Sequence, residues 1–173
     1  IFLFDSMQYQ DFAPYNPDHT YYLPLATNVS RWDSVLSDSH PDSFSGDISF
    51  VGSLYTEKCP YDALTNPSPY LSGYLKGIMD AQEQIYGAFL LPELLPDPVV
   101  KEFIDCMPDY YIPPEKARRS DRDIIAQKYL GMKVTVNERR HLLSLLGSHF
   151  SVDLYTFSNT TGLSVHNHGR VKT

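Results

Sequence analysis

Two cysteines, one tryptophan and no apolar run long enough to span a bilayer mark what this 173-residue chain goes without. Cys59 and Cys106 match no metal-ligand spacing, and they read as free thiols of a reducing compartment, which points to the cytoplasm. The lack of an 18-residue apolar stretch excludes a membrane-spanning helix on sequence grounds. Basic charge is scarce, with 14 Lys and Arg against 21 Asp and Glu and a net charge of −7. That balance argues against nucleic acid and against an anionic membrane surface as partners. The basic clusters, Lys116-Ala-Arg-Arg119 and Arg139-Arg140-His141, have acidic neighbours and read as solvated helix faces. The glycine motifs of nucleotide-binding folds are also missing. No G-x-G-x-x-G follows a strand and no G-K-S/T closes a P-loop, so a dinucleotide fingerprint and a Walker loop are both excluded. No Ser-His-Asp or Cys-His set is evident, and the catalytic residues stay unassigned.

What is present is apolar and aromatic enough for a globular chain: 42% hydrophobic residues, 13% aromatic, with 13 tyrosines. Tyrosine suits surfaces that are half apolar and half wet, carbohydrate sites among them. The length supports one good core or one and a half small ones. The chain starts at Ile1 and stops at Lys172-Thr173, so a fragment of a longer protein is expected.

Ile1-Phe-Leu-Phe4 reads as a buried strand, followed by a polar, proline-punctuated stretch from Gln8 to Asp18. Residues 19–26 read as a second strand, which Pro24 confines to an edge. Asn28 is a good cap for a short helix through Trp32 and Val35. Residues 37–46 have almost no apolar content and read as a linker or domain crossover. Asp47-Ile-Ser-Phe-Val-Gly-Ser-Leu-Tyr55 is the first strand and ligand loop of a Rossmann-like domain, and a long loop follows it. A helix from Pro69 carries Leu71, Leu75, Ile78, Ile85 and Phe89 on one face. A second starts near Pro98 with Asp97 as cap, and a third near Asp121 with Ile124, Ile125, Tyr129 and Leu130. Thr135-x-x-Glu138 matches a capping box that would reopen a helix through Leu143 and Leu146, with Gly147 as its C-cap. Residues 150–157 read as the next strand. Strand, helices, strand is the order of a parallel pair with a helical crossover, so residues 47–157 read as one enlarged βαβ unit.

A strand ending at Gly52-Ser53 lets the backbone approach a ligand closely, with the Ser53 hydroxyl facing a phosphate or sugar; it reads equally as a plain strand-ending turn. Lys58 is positioned to neutralise a diphosphate, or is simply solvated. His166 and His168 would project to one side of an extended segment, as metal ligands do, but no third ligand is evident and no metal is expected. A loop beside a cleft, with Gly169 permitting close approach, is the better reading. Asp153, inside a strand pattern, is expected to cap or pair.

Three segments in this order, Tyr22-Leu-Pro-Leu-Ala-Thr-Asn28, Asp47 to Tyr55 and Val152-Asp-Leu-Tyr155, resemble GT-B glycosyltransferase-like proteins of the bacterial spore-maturation type. The resemblance implies an α/β fold, a partial doubly wound parallel sheet of Rossmann-like, GT-B type with a helical crossover. It implies a remnant of an acceptor-side domain at residues 1–36, the crossover at 37–46, and the first part of a nucleotide-sugar-binding domain at 47–173. The implied activity is transfer of a sugar from a nucleotide-diphosphate sugar to an unidentified hydroxyl acceptor, with no cofactor. Gly52, Ser53, Tyr55 and Lys58 would lie at the donor, and His166, His168 and Gly169 on a cleft loop. The acidic donor motif of that family is not in the chain, and turnover by these residues alone is not expected. The alternative is a non-catalytic binding or assembly module using the tyrosine-rich segments 61–74 and 109–111 as a partner surface.

Overall fold

The computed structural model describes residues 1–38, 46–112 and 119–170. Most of the expected crossover, at 39–45, lies outside these, as do Lys116, Ala117 and Arg118 of the first basic cluster. The chain divides into two units, Ile1–Ser45 and Gly46–Thr173.

In the first unit, β1 (Phe2–Leu3) pairs in parallel with β2 (Tyr21–Tyr22). Between them lie α1 (Ser6–Phe12), which Asp5 caps by accepting the Gln8 N–H at 2.9 Å, and two proline-led 3₁₀ turns. The polar, proline-punctuated stretch from Gln8 to Asp18 is therefore folded mostly as short turns of helix. The expected buried strand at Ile1–Phe4 shrinks to two residues, with Phe2 70% and Phe4 56% exposed. A parallel pair is buried only when both faces are covered, and among the described residues no apolar side chain of this unit is buried. The second expected strand likewise shrinks to Tyr21–Tyr22. Asn28 does cap α2 (Val29–Asp38), accepting the Arg31 N–H at 3.0 Å.

In the second unit, β3 (Ile48–Val51), β4 (Val152–Tyr155) and β5 (His166–Asn167) form a parallel sheet in that order. Ile48 faces Val152 and Val51 faces Tyr155 across the first pair. The helical crossover between parallel strands is as the sequence indicated. It begins with α3 (Pro69–Gln84), started by Ser68, whose hydroxyl accepts the Leu71 N–H, and by Pro69 at the first position. Leu71, Leu75 and Ile78 are buried along one face, but the helix stops before Ile85. The Gln82 side chain ends it, donating to the Ile85 and Ala88 carbonyls and accepting the Leu90 N–H. Ile85 and Phe89 consequently leave the apolar face and are 40% and 43% exposed.

Asp97 lies inside the first turn of α4 (Asp97–Cys106) and does not cap it; its carboxylate pairs with Arg122. The capping box sits at Ser120 and Asp123, opening α5 (Asp121–Ile124). This helix runs through a π-helical stretch (Ile125–Leu130) into α6 (Gly131–Gly147) without a break. The Thr135-x-x-Glu138 pattern therefore reopens nothing, and the Thr135 hydroxyl donates back to the Gly131 carbonyl at 2.9 Å. Gly147 is not the C-cap expected of it: it is the last residue of α6 and Ser148 caps the helix at φ −81°, while the glycine permits a close approach, since a Cβ there would lie 2.3 Å from the Ser164 carbonyl oxygen.

The main core is helical. Leu71 and Leu75 pack with Leu95, Phe103, Ile125 and Tyr129, with Phe103 edge-on to Tyr129 at 5.2 Å. Each such fully buried side chain contributes about 1.5–3 kcal/mol. A smaller cluster of Leu54, Leu143, Val152 and Leu154 fastens the sheet to α6.

Candidate functional site

The sheet delivers two loops to one place. Val51 and Tyr155 are register partners, so the chain leaves β3 and β4 at the same level, at their C-terminal ends. Gly52 keeps a bond to the sheet, its N–H donating to the Tyr155 carbonyl at 3.2 Å. Its φ of 156° lies where L side chains seldom go. Ser53 follows, and its Oγ accepts the Tyr55 N–H at 2.7 Å. Tyr55 stands at φ 62°, a left-handed conformation uncommon for a bulky residue.

Arg139 of α6 holds that turn. Its guanidinium donates to the Ser53 carbonyl at 2.5 Å and lies 4.6 Å from the Tyr55 ring centroid and 5.7 Å from that of Phe50. Arg140 donates to the Asn159 and Thr161 carbonyls at 3.0 and 2.7 Å. The cluster expected to be a solvated face instead ties α6 to the loops at the sheet edge.

The loop after β4 supplies Ser158, which is only 3% exposed. Its Oγ accepts the Leu54 N–H at 2.8 Å and donates to Glu57 Oε2 at 2.8 Å. Ser53 Oγ donates to Glu57 Oε1 at 2.7 Å. The two hydroxyl oxygens lie 3.3 Å apart, but each has one proton and both protons go to Glu57. The Ser53 hydroxyl, with the Glu57 backbone N–H and the Ser158 and Thr56 hydroxyls adding to it, lowers the Glu57 carboxyl to a pKa of about 2.

Beside this clasp is an open cavity of about 340 Å³ lined by Val51, Gly52, Ser53, Glu57, Lys58, Tyr155, Thr156, Phe157 and Arg170. Among the described residues, neither Lys58 nor Arg170 has a carboxylate at ion-pair distance. The arrangement offers two cations and one carboxylate, Glu57, which is held by hydroxyls, together with an exposed aromatic ring at Phe157 and close backbone approach at Gly52.

Of the residues marked in the sequence, Gly52, Ser53 and Lys58 line this cavity, while Tyr55 faces Arg139. His166 lines a different cavity of about 430 Å³ with Ser151 and Val152, at the opposite, N-terminal end of β4. His168 meets Asp153, Nε2 to Oδ1 at 2.6 Å, and stacks on Tyr155 at 4.8 Å. Asp153 thus pairs, as its strand position suggested. Gly169 has φ 72° and donates to Asn167 Oδ1. The His-x-His pair is not brought together, and no group of three or more His, Cys, Asp or Glu among the described residues is placed to hold a metal ion. Cys59 and Cys106 are free. No helix among the described residues is long and apolar enough to cross a membrane.

The tyrosine-rich segments divide, with Tyr70 64% and Tyr111 43% exposed and the others turned inward. Tyr61, Tyr74 and Tyr110 pack against the helical core, Tyr74 donates to the Leu94 carbonyl, and Tyr110 stacks on Tyr129. Nothing in the sequence marks Arg170 or Ser158 as site residues, and Arg139 reads there only as part of a solvated helix face. The turn after the second parallel strand was the available signal for Ser158, since neighbouring strand ends bring their loops together. Comparison with family models, with curated proteins and with solved structures finds no match. What the fold defines is an α/β unit with a small parallel sheet and a cationic cavity at its C-terminal edge.

Proposed function

We propose that residues 46–170 are part of a Rossmann-like, GT-B type domain that binds the diphosphate of a nucleotide sugar and serves sugar transfer to a hydroxyl acceptor. The observation that carries this reading is the cavity past the ends of two adjacent parallel strands, with Lys58 and Arg170 in its wall and without an acidic partner among the described residues. Ligands of open α/β sheets bind outside the carboxyl ends of the strands, and anionic leaving groups are stabilised by fixed cations. The three segments that resemble spore-maturation glycosyltransferases supply the sugar; the cavity by itself supports an anionic ligand with an apolar part to rest on Phe157. In sugar transfer the contribution of this site is to hold the donor in line for the acceptor and to neutralise charge growing on the departing diphosphate. The test is calorimetric titration with uridine, guanosine and thymidine diphosphate sugars. Binding is expected with one of them, weakened at least about tenfold by Lys58→Ala or Arg170→Ala, as loss of one charge contact implies. Absence of binding by all three to folded protein rejects the reading.

A further inference from the structure

Glu57 occupies the donors that an incoming anion would be expected to use. The cavity wall holds Ser53, yet its hydroxyl proton is given to Glu57 Oε1 at 2.7 Å, and that of Ser158 to Oε2 at 2.8 Å. Thr56 adds a third, longer bond to Oε2 at 3.3 Å. Three hydroxyls from two loops thus converge on one carboxylate, in the way a site for a phosphate would be built, and the chain fills it with its own anion. We propose that Glu57 is a specificity-determining residue of the strand-end cavity, an internal anion that claims the Ser53 and Ser158 hydroxyls and leaves Lys58 and Arg170 to read the ligand's phosphate. This rests on the cavity being the anion site proposed above.

The consequence is a charge limit. Lys58 and Arg170 bring two positive charges to the wall and Glu57 removes one. A compact, highly charged anion such as pyrophosphate is met by a single net charge and by no free serine hydroxyl. A ligand with its phosphates drawn along the wall and an organic part against Phe157 loses less. Replacing Glu57 by glutamine restores the second charge; at separations of several ångströms in a partly wet site this is worth about tenfold in affinity for a multiply charged anion.

The experiment is calorimetric titration of the 173-residue chain with inorganic pyrophosphate, at low and at moderate salt, for wild type, Glu57→Gln, Glu57→Asp and Lys58→Ala, with melting temperatures recorded alongside. Glu57→Gln is expected to bind about tenfold tighter than wild type, with the gap narrowing as salt rises. Glu57→Asp loosens the clasp but keeps the charge, and is expected to bind more weakly than Glu57→Gln. Glu57→Gln no tighter than wild type, or Glu57→Asp as tight as Glu57→Gln, overturns the proposal. If wild type binds, Lys58→Ala loses binding and Glu57→Gln gains nothing, this inference falls and the cavity remains an anion site. If neither wild type nor Glu57→Gln binds, both fall together.

Discussion

Replacing Arg139 by methionine removes the charge that holds the turn after β3 while keeping most of the apolar stem. The bond to the Ser53 carbonyl, 2.5 Å long and made by a charged donor, is of a class worth about 1.5–3 kcal/mol. Arg139 is half-buried, which places it toward the low end of that range. The contact with the Tyr55 ring at 4.6 Å adds about 0.5–1 kcal/mol. Together these give a loss of about 2 kcal/mol, or roughly 5–10 °C in Tm for a unit of this size. The loss should be largest locally, because Tyr55 sits at φ 62° and a left-handed L residue costs about 1–2 kcal/mol that the arginine helps to offset. Thermal melts measure the total, and amide exchange locates it. Leu54, Tyr55 and Lys58 are expected to exchange faster than the amides of α3. A double-mutant cycle with Tyr55→Ala should show a coupling of about 0.5–1 kcal/mol. A melting temperature within about 2 °C of wild type, with loop exchange unchanged, would refute the view that Arg139 fastens the loop.

Glu57 predicts a pH dependence. Its carboxyl is held at about 2 in the folded chain against 4.5 for the free group, so its contribution is complete above the unfolded value and fades as pH falls toward 2. Melts between pH 5 and pH 2 should therefore show Glu57→Gln losing less stability than wild type across that window. Gly147→Ala sets helix propensity, a gain of about 1 kcal/mol, against a Cβ placed 2.3 Å from a backbone oxygen. Backbone gives way less readily than a side chain, so overpacking of about 1–3 kcal/mol wins, and urea denaturation should show net destabilisation.

The crossover and the first and second strands of the main sheet were legible because their signals are local. Alternation at Ile48–Val51, the serine and proline before α3, and the apolar spacing of Leu71, Leu75 and Ile78 act within a few residues of themselves. The mistakes share a cause at longer range. Arg139 and Arg140 read as solvated because an acidic residue, Glu138, adjoins them in sequence, yet Arg139 finds its acceptor 86 residues away. Ser158 meets the Leu54 amide across 104 residues. The Thr135 pattern satisfied a capping rule that applies only where a helix begins, and here α5 and its π-helical continuation already supply the preceding turns. β5 is two residues long with both side chains exposed, and nothing in its composition distinguishes it from a turn. The strand at Ile1–Phe4 was read as buried from apolarity alone, but burial needs cover and the first unit has none among its described residues.

One geometric fact accounts for most of the candidate site. Parallel strands in register release their chains side by side, so the loops after Val51 and Tyr155 have to satisfy one another. Each brings a serine, and the two oxygens arrive 3.3 Å apart with a single proton apiece. Two hydroxyls so placed need a shared acceptor, and Glu57, four residues past Ser53, provides a fully ionised one. The bridge fixes both loops to each other, while the arginines of α6 fix them to the helix. Rigidity at the cavity wall therefore comes from groups that are already satisfied, and these have little left to offer a ligand. Lys58 and Arg170 are different: they line the same cavity without an acidic partner among the described residues, on a chain whose net charge is −7. Cations without an acidic partner at ion-pair distance locally offset the negative field of an acidic protein, and that offset is what supports reading this edge of the sheet as the proposed anion site.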